Sequence, residues 1–440
     1  MTRYKSVLTI FAICIISMAC TKNNLLLKED TKPQRIAGKD ASRITAGILD
    51  TANISIGVFW PPTWDFVNDL QFQRLGGTGV DLLQYVITYT ESQNLTILGK
   101  CSANNLKAII FDARVYGTDN DIAAMVAAYS SNPGLGGYYI KDEPAPDTLN
   151  WAARIYNKIL TNDAVHIPQV NLLPSISSYF TGVNYETDYM QRWINSVGST
   201  KLKYLSTDIY PFMANGTFDN RYYPELDRLR RVALANSNIK TSAYLQSIGI
   251  PGAYRRPNAN ELTYNVYSML AYGIKYPVWF TYFTPPNSAT ETFTNAIITP
   301  TGTTTDLFDP FVQLNSQMKN LGKRLAKLAV YDVYHTGPNT PVGVTTLPVD
   351  YFLQPANGNN DLIISRCKNW YEGSGRNYSM VVNKSLTQSK TITFNVAGWI
   401  TYMGEISKTN GTESQIQIPG WQVTLTFAPG EGRLFCFNPY

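Results

Sequence analysis

Short runs of apolar and β-branched residues recur eight times between residues 54 and 285, and this repetition restricts the chain to a few folds. The runs occupy residues 54–60, 95–100, 108–114, 137–143, 168–174, 204–211, 241–247 and 276–285. Stretches with helical spacing lie between them, at residues 122–131, 148–160, 223–235 and 261–274. Strands and helices that alternate in this way over about 280 residues predict a (β/α)8 TIM barrel.

Two polar residues mark expected helix starts within this pattern. Asp147 precedes the helical stretch at 148–160 and Asn260 precedes the one at 261–274, so both are predicted N-caps. A doubly wound open sheet is the alternative fold, and the glycine-rich phosphate turn that would support it is missing from the sequence.

The pattern changes after Arg324, where apolar and polar residues begin to alternate between turns rich in Gly, Asn, Ser and Thr. The alternating runs are residues 377–384, 390–397, 422–429 and 433–437. They predict an antiparallel β-sandwich over residues 331–440, after a barrel over residues 51–330. We favour a module that packs against the barrel and closes it, and carbohydrate binding by the sandwich is the alternative.

The first twenty residues carry a basic start, an apolar run and then Cys20. The run is too short for a membrane span of about 20 residues and is typical of a secretion signal over residues 1–19. Residues 17–20 resemble the lipobox of bacterial lipoproteins, which implies a lipidated Cys20 followed by a flexible tether up to residue 50. The expected location is the bacterial cell envelope, on the periplasmic or surface face of the outer membrane. An ordinary signal peptide with a chance cysteine is the alternative.

Charge and composition exclude several classes of function. Lys and Arg exceed Asp and Glu by five without a basic run, which argues against a nucleic-acid partner. The chain has two His residues, no paired Cys motif, no Gly-x-Ser-x-Gly elbow and no phosphate loop, so we expect neither a zinc site nor a cofactor. Calcium at surface carboxylates and the oligomeric state remain open. Cys101, Cys367 and Cys436 are predicted core thiols.

The segment GGYYIKDEPAP, residues 136–146, places Asp142 and Glu143 at the end of the fourth predicted strand, directly before Pro144. Side chains at the carboxyl ends of barrel strands line the mouth, where the active sites of such barrels lie. Adjacent like charges in a partly dry mouth raise a pKa, as a general acid at neutral pH requires. The alternative is that Asp142 turns outward to Lys141 or Arg114.

Asp142-Glu143-Pro144 resembles the Asn-Glu-Pro signature of clan A glycoside hydrolases. Residues 206–211 and 279–285 are similar to the beta-galactosidase-like barrels common in lipoproteins of Bacteroidetes, and residues 428–435 resemble the last strand of the β-domain that follows such barrels. The resemblance covers roughly residues 53–440. It implies a carbohydrate substrate and a general acid/base role for Glu143.

Two positions depart from that family's pattern. Gln246 stands where retaining enzymes of the clan carry a nucleophilic Glu, and a neutral amide is a poor nucleophile. Asp142 replaces the Asn that binds the sugar 2-hydroxyl in the family. Inverting hydrolysis needs one protonated carboxyl and one carboxylate that activates water.

Three routes to a second functional group remain open. In the route that we favour, Glu143 is the acid and Asp208, at the end of the sixth predicted strand, is the base of an inverting hydrolase. In the second, Asp142 orients the acetamido group of an N-acetylated sugar beside Glu143. In the third, Asp65 or Asp112 supplies the second carboxylate. For Asp208, burial with bonds to backbone amides or to Tyr210 is the structural alternative.

Polar and aromatic residues near other predicted strand ends are candidates for sugar binding. Those expected to bond sugar hydroxyls are Asn171, Tyr210, Tyr244, Gln246 and Tyr282, and those expected to stack on sugar rings are Trp60, Trp64 and Trp279. Simple core packing is the alternative for each of them. The sequence thus predicts an envelope glycoside hydrolase, and a non-catalytic glycan-binding lipoprotein with a degenerate barrel site is the competing hypothesis.

Overall fold

The computed structural model describes residues 52–358, 360–370 and 375–438. The predicted signal peptide (1–19), the predicted lipidation at Cys20 and the tether up to residue 50 lie outside the described residues. In the described ranges, no helix combines the length and the apolar character needed to cross a membrane.

Eight parallel strands form the first sheet. They are β1 Gly57–Phe59, β2 Leu82–Gln84, β3 Lys107–Ile110, β4 Leu135–Asp142, β5 Ile167–Asn171, β6 Leu205–Ser206, β7 Thr241–Gln246 and β8 Tyr276–Phe280. The strand order is β5-β4-β3-β2-β1-β8-β7-β6, and a parallel bridge between Leu172 and Thr207 joins the two outer strands. The sheet is therefore closed, which confirms the TIM barrel and excludes the open sheet.

One helix follows each strand and covers the outside of the barrel. The helices are α1 Asp69–Gly76, α2 Glu91–Ala103, α3 Asp119–Tyr129, α4 Leu149–Asn162, α5 Arg192–Val197, α6 Tyr222–Ala235, α7 Ala259–Ala271 and α8 Phe308–Leu325. The predicted second strand at 95–100 is wrong, because these residues lie in α2. A capping box between Thr90 and Gln93 begins that helix, and its apolar residues Ile97 and Leu98 face the core.

Both predicted helix caps are also wrong. The N-cap of α4 is Thr148, which makes no side-chain cap bond, while Asp147 lies in the short 3-10 turn before it. The N-cap of α7 is Asn258, whose side chain accepts the Glu261 backbone N–H at 3.1 Å, while Glu261 returns a bond to the Asn258 N–H. A reciprocal capping box satisfies two helix-end donors, whereas Asn260 would satisfy one.

Polar and aromatic side chains fill the barrel interior. The Tyr244 hydroxyl donates to Gln84 Oε1 at 2.9 Å, and Gln84 Nε2 donates to the Tyr276 hydroxyl at 3.1 Å. Gly57 leaves room for the Tyr276 ring, since a Cβ at Gly57 would lie 2.7 Å from it. The interior is therefore packed with side chains, as in other TIM barrels.

The remaining strands build two sheets after the barrel. They are β9 Leu328–His335, β10 Thr345–Thr346, β11 Leu353–Pro355, β12 Leu362–Asn369, β13 Asn377–Asn383, β14 Lys390–Val396, β15 Met403–Ile406, β16 Glu413–Ile416, β17 Gln422–Phe427 and β18 Gly432–Phe437. The first sheet has the order β10-β9-β12-β13-β18-β15-β16 and the second β11-β14-β17. This confirms the predicted β-sandwich.

The central strands β12 and β13 of the larger sheet are buried on both faces. Ile363 belongs to the core that the sheet shares with the barrel, and the next residue, Ile364, belongs to the core between the two sheets. Helix α7 packs on β12, β13 and β18, so the sandwich lies against the helical flank of the barrel. Cys101, Cys367 and Cys436 are buried free thiols, as predicted.

Candidate active site

Side chains at the ends of β4, β5 and β6 meet in the mouth of the barrel. Asn171, the last residue of β5, donates from Nδ2 to Asp208 Oδ1 at 2.9 Å and to Asp142 Oδ1 at 3.3 Å. Ser206 Oγ donates to Asn171 Oδ1 at 2.9 Å and thereby fixes the orientation of the amide. The two carboxylate oxygens that share this donor are therefore no more than about 6 Å apart. The alternative that Asp142 turns outward is wrong.

Both carboxyls in this cluster hold protons more tightly than usual. Burial, and then the charge of Asp142, raises the pKa of Asp208 to about 7, against hydrogen bonds from Asn171 and Tyr210. Burial raises the pKa of Asp142 to about 6, against the Asn171 bond and the charge of Lys141. Both side chains remain partly exposed, so a ligand in the mouth can reach them. The pair retains a proton close to neutral pH.

Glu143 lies in the same mouth. Burial raises the pKa of the Tyr139 and Tyr189 phenols, and the charges of Asp142 and Glu143 raise both pKa values further. The backbone N–H of Glu143 donates to the Asn171 carbonyl at 2.8 Å, and its φ of 47° lies in the left-handed region. Such a conformation is uncommon for a residue with a Cβ and is found disproportionately at functional sites.

Tyr189 fixes the chain on both sides of this cluster. Its hydroxyl donates to the Pro144 carbonyl at 2.6 Å and accepts the Leu173 N–H at 3.1 Å, which ties the end of β4 to the end of β5. Tyr189 belongs to a π-helical turn, Glu186–Gln191, a form that often marks functional sites. Sequence reasoning missed this residue, because such a turn has no distinctive residue pattern.

Tyr210 is the predicted substrate-binding aromatic that lies beside the carboxyls. It is buried, it hydrogen-bonds Asp208, and its ring packs at 4.9 Å from that of Phe280. It therefore contributes to the floor of the mouth.

The carboxylates of the third predicted route lie apart from this cluster. Asp112 accepts bonds from Arg114 at 2.7 Å and from the Tyr129 hydroxyl at 2.7 Å, and Arg114 also pairs with Glu91. Asp65 is exposed in a short turn after β1. Neither shows a contact with Asp142 or Asp208, so the structure gives this route no support.

Gln246 ends β7 but its amide is occupied by the backbone. Oε1 accepts the Phe212 N–H at 2.9 Å, and Nε2 donates to the carbonyls of Phe212 at 3.1 Å and Arg255 at 2.8 Å. Gln246 is buried, and so is Tyr244, whose hydroxyl is bonded to Gln84. The structure assigns both residues to the packing of the barrel, which corrects their prediction as sugar-binding groups.

Trp279 lies on the outer side of β8, and Tyr282 follows the end of that strand. Trp279 is fully buried and donates from Nε1 to Asn315 Oδ1 on α8 at 2.8 Å. The ring of Tyr282, equally buried, packs 5.6 Å from that of Phe311 on the same helix. Both side chains are buried against helix α8, so their prediction as sugar-binding residues is corrected.

Exposed aromatic residues border the carboxyl cluster. Tyr116 is 45% exposed, and its ring lies 5.4 Å from both Phe111 and Trp151. Burial and then the charge of Asp142 raise the pKa of the Tyr116 phenol to about 12, so the Tyr116 hydroxyl lies within range of the Asp142 charge. Sequence reasoning missed this aromatic surface, because Tyr116 and Trp151 follow different strands and only the folded chain brings them together.

The two tryptophans after β1 have different environments. Trp60 is half-buried with a φ of 55°, and its indole N–H has no hydrogen-bond acceptor within the described residues. Trp64 is 41% exposed, and its ring lies 6.1 Å from that of Tyr89. Both remain candidates for sugar stacking.

Nothing in the described parts of the chain groups three or more His, Cys, Asp or Glu side chains so that they could hold a metal ion. The carboxyl groups, amides and phenols of the mouth can perform proton transfer.

No family model and no curated protein matches this sequence. Among solved structures, a catalytic mutant of a GH42 beta-galactosidase from G. stearothermophilus is similar, with a TM-score of 0.58 and 7% identity over 88% of this chain and 98% of that one. A beta-galactosidase from Bacillus circulans sp. alkalophilus gives a TM-score of 0.56 and 8% identity over 88% of this chain and 99% of that one. At this identity the likeness demonstrates a shared fold only.

Proposed function

We propose that this chain is a glycoside hydrolase that cleaves O-glycosidic bonds of an oligo- or polysaccharide in the mouth of the barrel. The observation that carries the proposal is the pair of Asp142 and Asp208, which share the amide of Asn171 and have raised pKa values of about 6 and about 7. Carboxyl groups whose pKa values lie near neutral pH can exchange protons there, and aromatic surface around the mouth can contact a sugar ring. The site therefore suits acid/base chemistry on a sugar. The fold shared with two beta-galactosidases is compatible with this activity.

In the proposed mechanism, Glu143 gives its proton to the leaving-group oxygen while Asp208 removes a proton from an attacking water. The water oxygen bonds to the anomeric carbon as the glycosidic bond breaks, so the configuration inverts. Asp142 is not the acid in this scheme, because its shared oxygen is within about 6 Å of that of Asp208, whereas inverting pairs are about 6.5–9.5 Å apart. The negative charge of Asp142 instead raises the proton affinity of Asp208.

Recognition of the sugar is assigned to the groups that remain accessible around these carboxyls. Tyr116, Trp60 and Trp64 offer aromatic faces on which a pyranose ring can stack. In an alternative form of this scheme, Asp142 orients the acetamido group of an N-acetylated sugar. A preference for N-acetylated substrates would indicate this form.

A second candidate function is glycan binding without hydrolysis. One observation favours it: the amide of Gln246 is bonded to backbone atoms at the end of β7, so no carboxylate is available there to attack the sugar. A mouth of this kind would hold a saccharide and release it unchanged.

An assay of reducing-sugar release from aryl glycosides and oligosaccharides, including N-acetylhexosaminides, distinguishes the two functions. We expect the wild type to release sugar and Glu143→Gln and Asp208→Asn to lose most of that activity. Wild-type turnover by Glu143→Gln would remove Glu143 as the acid. No release from any substrate, together with measurable binding, would favour the second function.

We also propose that Cys20 anchors the protein to the cell envelope, on the basis of the lipobox-like sequence at residues 17–20. The test compares membrane fractions of cells that express the wild type or Cys20→Ser. We expect the wild type to sediment with membranes and the variant to be released, and equal release of both would contradict the anchor.

A further inference from the structure

Two exposed tryptophans lie next to each other on the sandwich, away from the barrel mouth. Trp421, just before β17, is 55% exposed, and Trp399, in the turn between β14 and β15, is 39% exposed. The position that a Cβ would take on Gly398 is 3.9 Å from Cε2 of Trp421, so the Trp421 indole lies against the residue that precedes Trp399. The ring of Trp399 lies 5.8 Å from that of Phe352, at the edge of the sandwich core.

The backbone of Trp421 adopts an unfavourable conformation. Its φ is 56°, in the left-handed region, where a bulky side chain is a genuine outlier. Core packing does not account for this conformation, because more than half of the side chain is in solvent. Strain that holds a large exposed side chain in one orientation is characteristic of binding sites.

A row of uncharged polar side chains continues from the tryptophans across the outer face of β14 and β17. Gln422 Nε2 donates to Asn395 Oδ1 at 2.9 Å, next to Trp421. Two further cross-strand pairs follow, Thr393 with Thr424 at 2.8 Å and Thr391 with Thr426 at 2.9 Å. These six outward-facing side chains offer hydroxyl and amide donors and acceptors and carry no charge.

We propose that Trp399, Trp421 and this polar row form a saccharide-binding surface for a neutral glycan chain. Indole faces match the apolar faces of pyranose rings, and the amides and hydroxyls match the sugar hydroxyls at the ring edges. The lack of charge along the row selects against nucleic acids, acidic peptides and anionic glycans, which need cationic partners. The proposal is independent of hydrolysis in the barrel, since the surface belongs to the sandwich alone.

The test is affinity gel electrophoresis of the full chain in gels that contain galactan, xylan, mannan, arabinan or hydroxyethylcellulose. We expect at least one of these neutral polysaccharides to retard the wild type, with the affinity reduced about tenfold or more in Trp421→Ala and in Trp399→Ala. Trp421→Gly removes the ring and accepts the backbone conformation, so it should fold as well as the wild type and also fail to bind. Trp370→Ala, which removes an exposed tryptophan elsewhere in the sandwich, is the matched control and should bind normally.

Asp208→Asn separates this surface from the barrel mouth, because we expect that variant to be retarded as strongly as the wild type. Several outcomes would overturn the proposal. They are no retardation by any of the five polysaccharides, equal retardation of the tryptophan variants, or loss of binding in Asp208→Asn. A dimer of the wild type in size-exclusion chromatography that is lost in Trp421→Gly would also overturn it, since the surface would then serve self-association.

Discussion

The two halves of the barrel mouth use similar residues for different purposes. At the ends of β4 to β6, Asp142 and Asp208 both accept a bond from the buried amide of Asn171, and the two carboxyls remain partly exposed. At the end of β7, Gln246 is buried and bonds to backbone atoms of the neighbouring loops. A polar residue at a strand end is therefore a candidate for chemistry when its partners are other side chains, and a structural element when its partners are backbone groups.

The largest effect that we expect is the loss of activity when Glu143, in the half of the mouth formed by β4 to β6, is substituted. Glu143→Gln should lower kcat/KM for phenyl glycosides by about 10²–10⁴-fold, because the leaving oxygen loses its proton donor. The loss should be smaller for 2,4-dinitrophenyl glycosides, whose leaving group departs without protonation. Steady-state kinetics on both series check this, and equal losses on the two leaving groups would argue against Glu143 as the acid.

In the half of the mouth formed by β7, a substitution should change the stability of the fold. Gln246→Glu should lower the free energy of unfolding by about 3 kcal/mol, because the carbonyls of Phe212 and Arg255 lose their donor and a buried carboxylate keeps a bond from the Phe212 N–H but faces those two carbonyl oxygens. Urea denaturation measures this, with the exposed Gln73→Glu as the control that should change stability by no more than about 0.5 kcal/mol. A gain of turnover in Gln246→Glu would mean that this half of the mouth also serves catalysis.

The pH dependence of the free energy of unfolding should reveal the carboxyl pair in the half of the mouth formed by β4 to β6. Because the pKa values of Asp142 and Asp208 are higher in the folded chain than in the unfolded chain, the folded state binds more protons between about pH 4 and about pH 7. The pair therefore stabilises the fold below this window, and that contribution is lost as pH rises through the folded pKa values.

The free energy lost by the wild type between pH 5 and pH 8 should be about 2 kcal/mol larger than the loss in Asp208→Asn. Denaturation curves at the two pH values give this difference. Asp65→Asn, which changes an exposed carboxylate, should behave as the wild type. An unchanged pH dependence in Asp208→Asn would show that its carboxyl titrates normally.

The smallest expected effect concerns the backbone of Glu143. Its left-handed conformation disfavours any Cβ, so Glu143→Gly should be more stable than Glu143→Ala by about 1 kcal/mol. Both variants lack the carboxyl and should be equally inactive. The difference between their free energies of unfolding therefore reports the backbone conformation at this position. A more stable Glu143→Ala would show that the site carries no such strain.

Long periodic segments made most of the fold predictable from the sequence. Helix α6 and strands β13 and β14 lie within two residues of the predicted ranges, because each buries a regular apolar face. Strand β2 was missed because its three residues, Leu82–Gln84, are too few to show a period. The apolar residues of α2 at 95–100 resemble a strand in sequence and were predicted as one instead.

The candidate site was only partly predictable. Asp142, Glu143, Asn171 and Asp208 could be found because strand ends of a barrel converge on the mouth. The side chains that turn away from the mouth could not be predicted. Trp279 on β8 is buried against helix α8, and Gln246 bonds to Phe212 in the loop after β6, which has no period of its own. Tyr116 and Tyr189 join the site through such loops as well.

The central claim is that the half of the mouth formed by β4 to β6 performs chemistry and the half formed by β7 holds the fold. The most direct measurement compares kcat/KM of the wild type, Asp208→Asn and Gln246→Glu on one aryl glycoside, beside their free energies of unfolding at pH 8. We predict that Asp208→Asn loses at least about 10²-fold in kcat/KM without loss of stability, and that Gln246→Glu loses stability without gaining rate. An Asp208→Asn variant that turns over at the wild-type rate would contradict the claim.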